Sequence, residues 1–336
     1  MTSKKWYLPE VWFTAALLGL VMMLSMILGF PVHLPQGDQA SFVGIHYLYP
    51  LAGLAVWGLV AFVGQRRNLA KTFLVALPCY AVVLVCHFNL KLWAPHINPT
   101  LWDSTYWRID TALHPIVATC FAIRRAIAPV IPLESNLYLT AFITMFYVSF
   151  CFHAVRSTHD FRTLFLAALL FQGLGALAYL VMPALGPFTF EQGVEPLTTG
   201  NQQAMLAAYH ANMAGGAQWI AAQGGTFLVA GVAAMPSLHA GGSFLFLRMA
   251  WRHARVLVPL YSVLFGYIAI DAIATRWHYL VDLPAGIALA LFCVWAAEKL
   301  NPRTEEEADL ESNPGRPDAI AKFFVRLRRK FGRAAA

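Results

Sequence analysis

Between Arg162 and Arg248 the only formal charges are Glu191 and Glu195. A water-soluble fold covers its exterior with polar and charged side chains, and no such exterior can be built from this stretch. A bilayer core of ~30 Å takes about 20 mostly apolar residues per helix. Stretches of that kind lie near 11–30, 43–64, 72–94, 135–154, 163–183, 237–254, 256–274 and 278–298. The chain is therefore expected to be all-α, a polytopic membrane helix bundle of about eight transmembrane helices. Composition agrees. Only 12% of the 336 residues are charged and 59% are hydrophobic, which excludes a disordered chain, a disulfide scaffold and an ordinary soluble enzyme.

The first apolar stretch follows Lys4 and Lys5, as a secretory signal would. It is long, and Pro31-Val32-His33-Leu34-Pro35 offers no small-x-small cleavage site, so it reads as a retained anchor helix.

Charge orients the spans. With the N-terminus inside, nineteen of the 24 basic residues fall on the inside, in short loops and the C-terminal tail. Lys91, Arg108, Arg124, Arg125 and Arg276 fall outside. This asymmetry predicts cytoplasmic N- and C-termini, with the opposite end facing periplasm, exterior or lumen. It also accounts for the net charge of +7 as topology, so no nucleic-acid partner is expected. The five cysteines at 79, 86, 120, 151 and 293 sit in apolar segments without CxxC or metal spacing. They read as small buried hydrophobes, and no metal is expected.

The chain divides into four regions. Residues 1–94 carry the N-terminal transmembrane helices. Residues 95–133 form an outer interfacial segment, rich in Trp and Tyr, whose part from Pro115 to Pro129 suits an interfacial or re-entrant helix. Residues 134–300 form the catalytic helix bundle, interrupted by an outer loop at 184–235 without Lys or Arg. The stretch 199–222 of that loop is either a helix over the outer mouth or an incidental insertion. Residues 301–336 form a cytoplasmic tail. There Ile320, Phe323, Phe324, Leu327 and Phe331 recur at helical spacing among basic residues, giving a basic amphipathic helix suited to the anionic inner leaflet, or else a solvated tail.

Polar groups within a membrane are costly and ask for a reason. Two clusters fall at the outer ends of late helices, Met235-Pro236-Ser237-Leu238-His239-Ala240-Gly241-Gly242 and Thr275-Arg276-Trp277-His278-Tyr279-Leu280-Val281-Asp282. His278 and Asp282 are four apart, a spacing that lets a carboxylate fix an imidazole tautomer. Pro284 disfavours a helix running through Leu283, so the helix is expected to begin near or after Asp282, with His278 on an extended or 3₁₀ entry. Pro236 suits a first helical position, and Ser237 with the open N–H groups of that turn would face the outer boundary as an anion site. His239 stands ready to protonate a leaving oxygen, and Arg276 adds positive charge on the same side. Taken singly, such histidines are often structural. Together they suggest phosphoryl transfer, with a proton-relay transporter or an inactive scaffold as the other readings.

These residues carry a resemblance. Pro236-Ser237-Leu238-His239, followed by His278-Tyr279-Leu280-Val281-Asp282 and Ala285-Gly286, resembles the type 2 phosphatidic acid phosphatase superfamily. Leu238, where lipid phosphatases usually have Gly, is similar to the branch containing inositol phosphorylceramide synthases (inositolphosphotransferases). Trp102-Asp103 to Asp110 and Met182-Pro183-Ala184-Leu185-Gly186-Pro187 are similar to stretches of that branch as well, less specifically. The strong match covers 235–286 and the weaker ones reach back to about residue 100.

The resemblance implies a six-helix phosphatase-type core and membrane lipid substrates, with no cofactor. It implies His278 as a nucleophile that forms a phosphohistidine, Asp282 as its partner and His239 as general acid. Water as acceptor gives hydrolysis, and a lipid or other alcohol gives transfer. The phosphatases' Ser-Arg pair is replaced here by Asp271-Ala272, and their lysine–Arg-Pro motif is absent. Arg276, Ser237, Arg108 and Lys91 are the candidates for binding the substrate phosphate. The departures favour the phosphotransferase branch.

Overall fold

The computed structural model describes residues 8–34, 67–228 and 235–303, with isolated positions between 53 and 59. Ten α-helices run through the described residues, among which there are no strands. They are α1 (Pro9–Leu28), α2 (Arg67–Ile97), α3 (Asp103–Ala112), α4 (His114–Ile127), α5 (Leu137–Arg156), α6 (Thr158–Val181), α7 (Pro196–Gln223), α8 (Leu238–His253), α9 (Val258–Ala274) and α10 (Asp282–Leu300).

Six segments are long and apolar enough to cross a membrane: Pro9–Leu28, Leu69–Ile97, Leu137–Arg156, Thr158–Val181, Arg255–Ala274 and Asp282–Leu300. Their outward faces are apolar. Met26 is 76% exposed, Leu74 75% and Val263 70%. A continuous apolar exterior is stable only against lipid, so the chain is an integral membrane protein. Six of the eight expected spans are these segments. The stretch 43–64 lies largely outside the described residues, as do Lys4, Lys5 and the basic helix of the tail.

The remaining stretch is α8, with 16 residues and a length of ~24 Å at 1.5 Å per residue. It still reaches from one end of the bundle to the other. At its start the Ser237 N–H donates to the Asp282 carbonyl, 3.0 Å away. At its far end His253 Nδ1 lies 3.8 Å from Asp160 in the first turn of α6. α8 packs against α5, α6, α9 and α10, and α6 packs in turn on α2.

Local sequence sets the helix ends. Ser157 caps α6, its Oγ accepting the Asp160 N–H at 3.2 Å. α1 stops at Gly29, whose φ of 67° suits a residue without Cβ. α10 begins at Asp282, as expected from Pro284, whose missing N–H then falls in the first turn where no helical partner exists. α8 corrects an expectation: Pro236 precedes the helix, and Ser237 is the cap.

Apolar burial drives helix association weakly in lipid, so packing and small residues carry it. Phe146, Phe150, Phe161, Phe165 and Phe246 form the aromatic centre, with Phe146 and Phe150 centroids 4.6 Å apart. Polar networks close the two ends. Opposite Ser237, Arg162 Nε bonds Glu10 at 2.6 Å, tying α1 to α6. At the same end Arg303 bonds Asp160 at 2.8 Å, and Arg252 pairs with Glu298. The expected segment from Pro115 to Pro129 is α4, which lies along α9 with Val117 and Arg124 buried.

Candidate active site

The other end of the bundle gathers the C-terminal ends of α2, α6 and α9 with the N-terminal ends of α5, α8 and α10, under α3 and α7. Contacts between backbones show why. A Cβ on Gly241 would lie 2.5 Å from the Gly286 carbonyl oxygen, and one on Gly286 would collide with the Ser237 carbonyl. Only glycine at both positions lets α8 and α10 approach so closely. The approach brings the two polar clusters of the sequence together, and the Ser237–Asp282 hydrogen bond seals it.

His278 sits on the irregular link Thr275–Val281 between α9 and α10. Its Nδ1 is 3.2 Å from Asp282 Oδ2, and the same oxygen accepts the Tyr279 N–H at 2.8 Å. Asp282 is fully buried and His278 is 6% exposed. The pairing depends on the link folding back over the first turn of α10, not on a regular helical turn. The His278 N–H reaches the Ala272 carbonyl at 3.2 Å.

His239, in the first turn of α8, is partly exposed and rests on aromatic rings of α5. Its centroid is 5.2 Å from Tyr138 and 4.9 Å from Phe142. The ionisable groups whose fields reach it are His278, Lys91 and His87. Two of these come from α2, which crosses the bundle from a distant part of the sequence. His87 Nδ1 is 3.0 Å from the Gln172 carbonyl.

The structure thus pairs His278 with Asp282 and sets His239 within reach of the charges of His278 and Lys91, while the other candidates are engaged in holding the fold or lie exposed. Ser237 is fully buried and its Oγ accepts the Ala240 N–H at 3.4 Å, so it serves as a cap and does not face the aqueous boundary as expected. Arg108 is exposed on α3, with Nη2 3.5 Å from Thr105 Oγ1. Arg276 is fully buried and engaged: Nη1 bonds Asp110 at 2.9 Å and Nε lies 3.2 Å from Glu191. Its guanidinium stands 5.3 Å over Trp107, whose other partner is the parallel ring of Phe190 at 5.0 Å. Arg276, Asp110, Glu191, Trp107, Thr111, His114 and Val117 line a cavity of about 210 Å³. Within it Arg276 Nη2 is buried without a hydrogen-bond partner among the described residues.

Sequence reasoning missed three features. His87 lies in an apolar span and signals nothing by itself. Asp103 and Asp110 stand seven apart, two turns on one face of α3. Asp103 accepts the N–H groups of Leu185 and Gly186, each at 2.9 Å, and the Tyr279 hydroxyl at 2.8 Å. Asp110 accepts the Leu280 N–H at 2.9 Å besides binding Arg276. Burial raises the Asp110 carboxyl above the usual range, against the pull of that N–H and the guanidinium. Burial, reinforced by Asp103, raises the Tyr279 phenol.

The third is the cluster around Arg124, a residue that the charge count had placed outside without a role. Its Nε bonds Glu195 at 2.9 Å and Asp271 at 2.8 Å, and its Nη1 and Nη2 donate to the carbonyls of Ile131 and Pro132. Asp271, standing where the phosphatases have Ser, is thereby engaged in joining α9 to α4. Burial and the neighbouring Asp271 raise the Glu195 carboxyl.

α7 covers this end, as one of the two readings of the outer loop expected. Gln202 Nε2 donates to the Thr275 carbonyl at 2.8 Å, and Asn212 Nδ2 to the Leu92 carbonyl at 3.1 Å. The helix bends at Gly216, where φ is 51°. Among the described residues no group of three or more His, Cys, Asp and Glu is arranged to hold a metal ion.

A family model described as the PAP2 superfamily matches residues 107–296, more than half of the chain. No curated protein and no solved structure matches it.

Proposed function

The chain belongs to the PAP2 superfamily, whose members are generally phosphatases and phosphotransferases, and from that premise we propose that it is a lipid phosphotransferase. The observation that carries the reading is the His278–Asp282 pair, joined through Ser237 to the helix start that bears His239.

In the proposed reaction Asp282 holds the His278 Nδ1–H and so presents Nε2 as the nucleophile. Nε2 attacks the phosphorus of a lipid-linked phosphate or phosphodiester. The bond to the leaving oxygen breaks as His239 gives that oxygen a proton. The phosphohistidine is then attacked by an alcohol, whose proton returns to His239, and the phosphorylated head group passes to the acceptor. Splitting the displacement in this way replaces one hard step by two easier ones. Lys91 supplies positive charge beside the phosphate, and the start of α8 offers N–H groups to its oxygens. The scheme requires no metal.

The finer assignment is to the inositol phosphorylceramide synthase branch. It rests on Leu238 within Pro236-Ser237-Leu238-His239, on His278-Tyr279-Leu280-Val281-Asp282, and on the absence of the phosphatases' Arg. The distribution of Lys and Arg supports cytoplasmic termini and a site on the outer leaflet. The basic tail supports contact with the anionic inner leaflet.

Purified protein is incubated with a labelled phospholipid, with and without a lipid alcohol. Acceptor-dependent product is expected, and His278→Ala is expected to abolish it. Phosphate release independent of acceptor would make the protein a lipid phosphatase. Full activity of His278→Ala would remove the assignment.

A further inference from the structure

The link that carries His278 is short and irregular. It includes Arg276, a residue with a side chain at a φ of 61°, a conformation that L-residues adopt only when held. What holds it is α3. On one side of His278, Arg276 Nη1 bonds Asp110 Oδ2 at 2.9 Å. On the other, the Leu280 N–H bonds Asp110 Oδ1 at 2.9 Å. Both oxygens of one carboxylate therefore grip the link, two residues before and two residues after the histidine. Two turns earlier on the same face, Asp103 accepts the Tyr279 hydroxyl at 2.8 Å. Asp103 is itself fixed by the N–H groups of Leu185 and Gly186. Asp110 is 1% exposed and Asp103 7%, so water competes little for these bonds.

We propose that Asp110, seconded by Asp103, is the positioning residue of the nucleophile: α3 is a clamp that sets the height and direction of His278 above Asp282. The inference rests on the reading of His278 as nucleophile. Its physical basis is that a displacement of the attacking atom by ~1 Å costs on the order of 10²-fold in rate without changing how substrate binds. The imidazole cannot correct such a displacement itself, because its Nδ1 is tethered to Asp282. Asp110 is a positioning residue only, with no proton to give or take in the reaction.

The test is rapid-quench measurement of phosphohistidine formation from a labelled phospholipid, with kcat and KM from steady state. It compares the full-length wild-type chain, Asp110→Asn, Tyr279→Phe and His278→Ala, each checked for folded yield. Asp110→Asn keeps an acceptor for Leu280 and loses the charge on Arg276. It is expected to slow phosphohistidine formation and kcat by ~10- to 100-fold, with KM within about threefold. Tyr279→Phe, which removes one hydroxyl and little volume, is expected to slow both by ~3- to 10-fold. It carries the test if Asp110→Asn does not fold.

Wild-type rates in folded Asp110→Asn and Tyr279→Phe overturn the proposal. So does a rise in KM at constant kcat, which would place Asp110 on the substrate through the cavity that it lines. His278→Ala separates the two readings. If it still forms the phosphoenzyme, the nucleophile is wrong and the clamp falls with it. If it is silent while Asp110→Asn is at full rate, only the clamp falls.

Discussion

The backbone N–H of Ser237 donates to the backbone carbonyl of Asp282 across 3.0 Å, joining the starts of two helices that are separated in sequence by all of α8 and α9. Ser237 precedes His239 by two residues, and Asp282 holds His278. Main-chain geometry, not only side-chain choice, thus brings the two histidines into one site.

The joint depends on absent side chains. Gly286→Ala would set a Cβ against the Ser237 carbonyl, which belongs to a backbone that cannot swing aside. Overpacking of this kind costs ~1–3 kcal/mol, and here it would also part the two helix starts. Activity is expected to fall further than thermal stability does. A variant as active as wild type would refute this. Comparing kcat with the melting temperature in detergent makes the check.

Asp282→Asn keeps the size of the group and changes its hydrogen bonding. The amide can offer its NH₂ to Nδ1, which favours the wrong tautomer. A loss in kcat of the order of 10²–10⁴-fold is expected, with little change in folded yield. Single-turnover assays on the purified variant measure it.

Lys91, Arg276 and Arg108 make a graded series. Lys91→Met removes a cation whose field reaches His239. A loss of ~10²-fold in kcat/KM is expected. Arg108→Ala, on an exposed face, is expected to stay within about twofold of wild type. Arg276→Met is expected to lower folded yield first, because it strands Asp110 as a buried unpaired charge. The reverse order between Lys91 and Arg108 would move the phosphate to the α3 surface.

The Arg124 cluster gives a pH dependence. The Glu195 carboxyl is raised in the folded state, so folding favours its protonated form. Its contribution is fully present below the ordinary carboxylate range and is lost as pH rises through the raised folded value. Glu195→Gln is expected to flatten that decline: it matches wild type at low pH and exceeds it at higher pH. Thermal melts across that window check the sign.

The fold was legible because lipid leaves long apolar runs with little choice. The pairing of His278 with Asp282, and the meeting of their helix start with that of His239, were legible because an ionisable group at the end of an apolar helix has few reasons to be there. Arg276 shows the limit. Its position pointed to the substrate, but its partner Asp110 lies 166 residues earlier, and no local pattern shows that the charge is already matched. Ser237 shows another limit, since a cap and a phosphate ligand look alike in sequence until burial is known. His87 comes near His239 only through the packing of α2 against α6, which leaves no trace in the residues around it.

α8 is fastened at both extremities. Ser237 ties its start to α10, while His253 and Arg252 tie its end to Asp160 and Glu298. A rod pinned at both ends can neither slide nor tilt without breaking one anchorage. His239 therefore rides on a fixed element of the bundle. On the proposed reading, the adjustment that admits a lipid is expected in the covering layer, where α7 bends at Gly216 and is strapped down by the amides of Gln202 and Asn212.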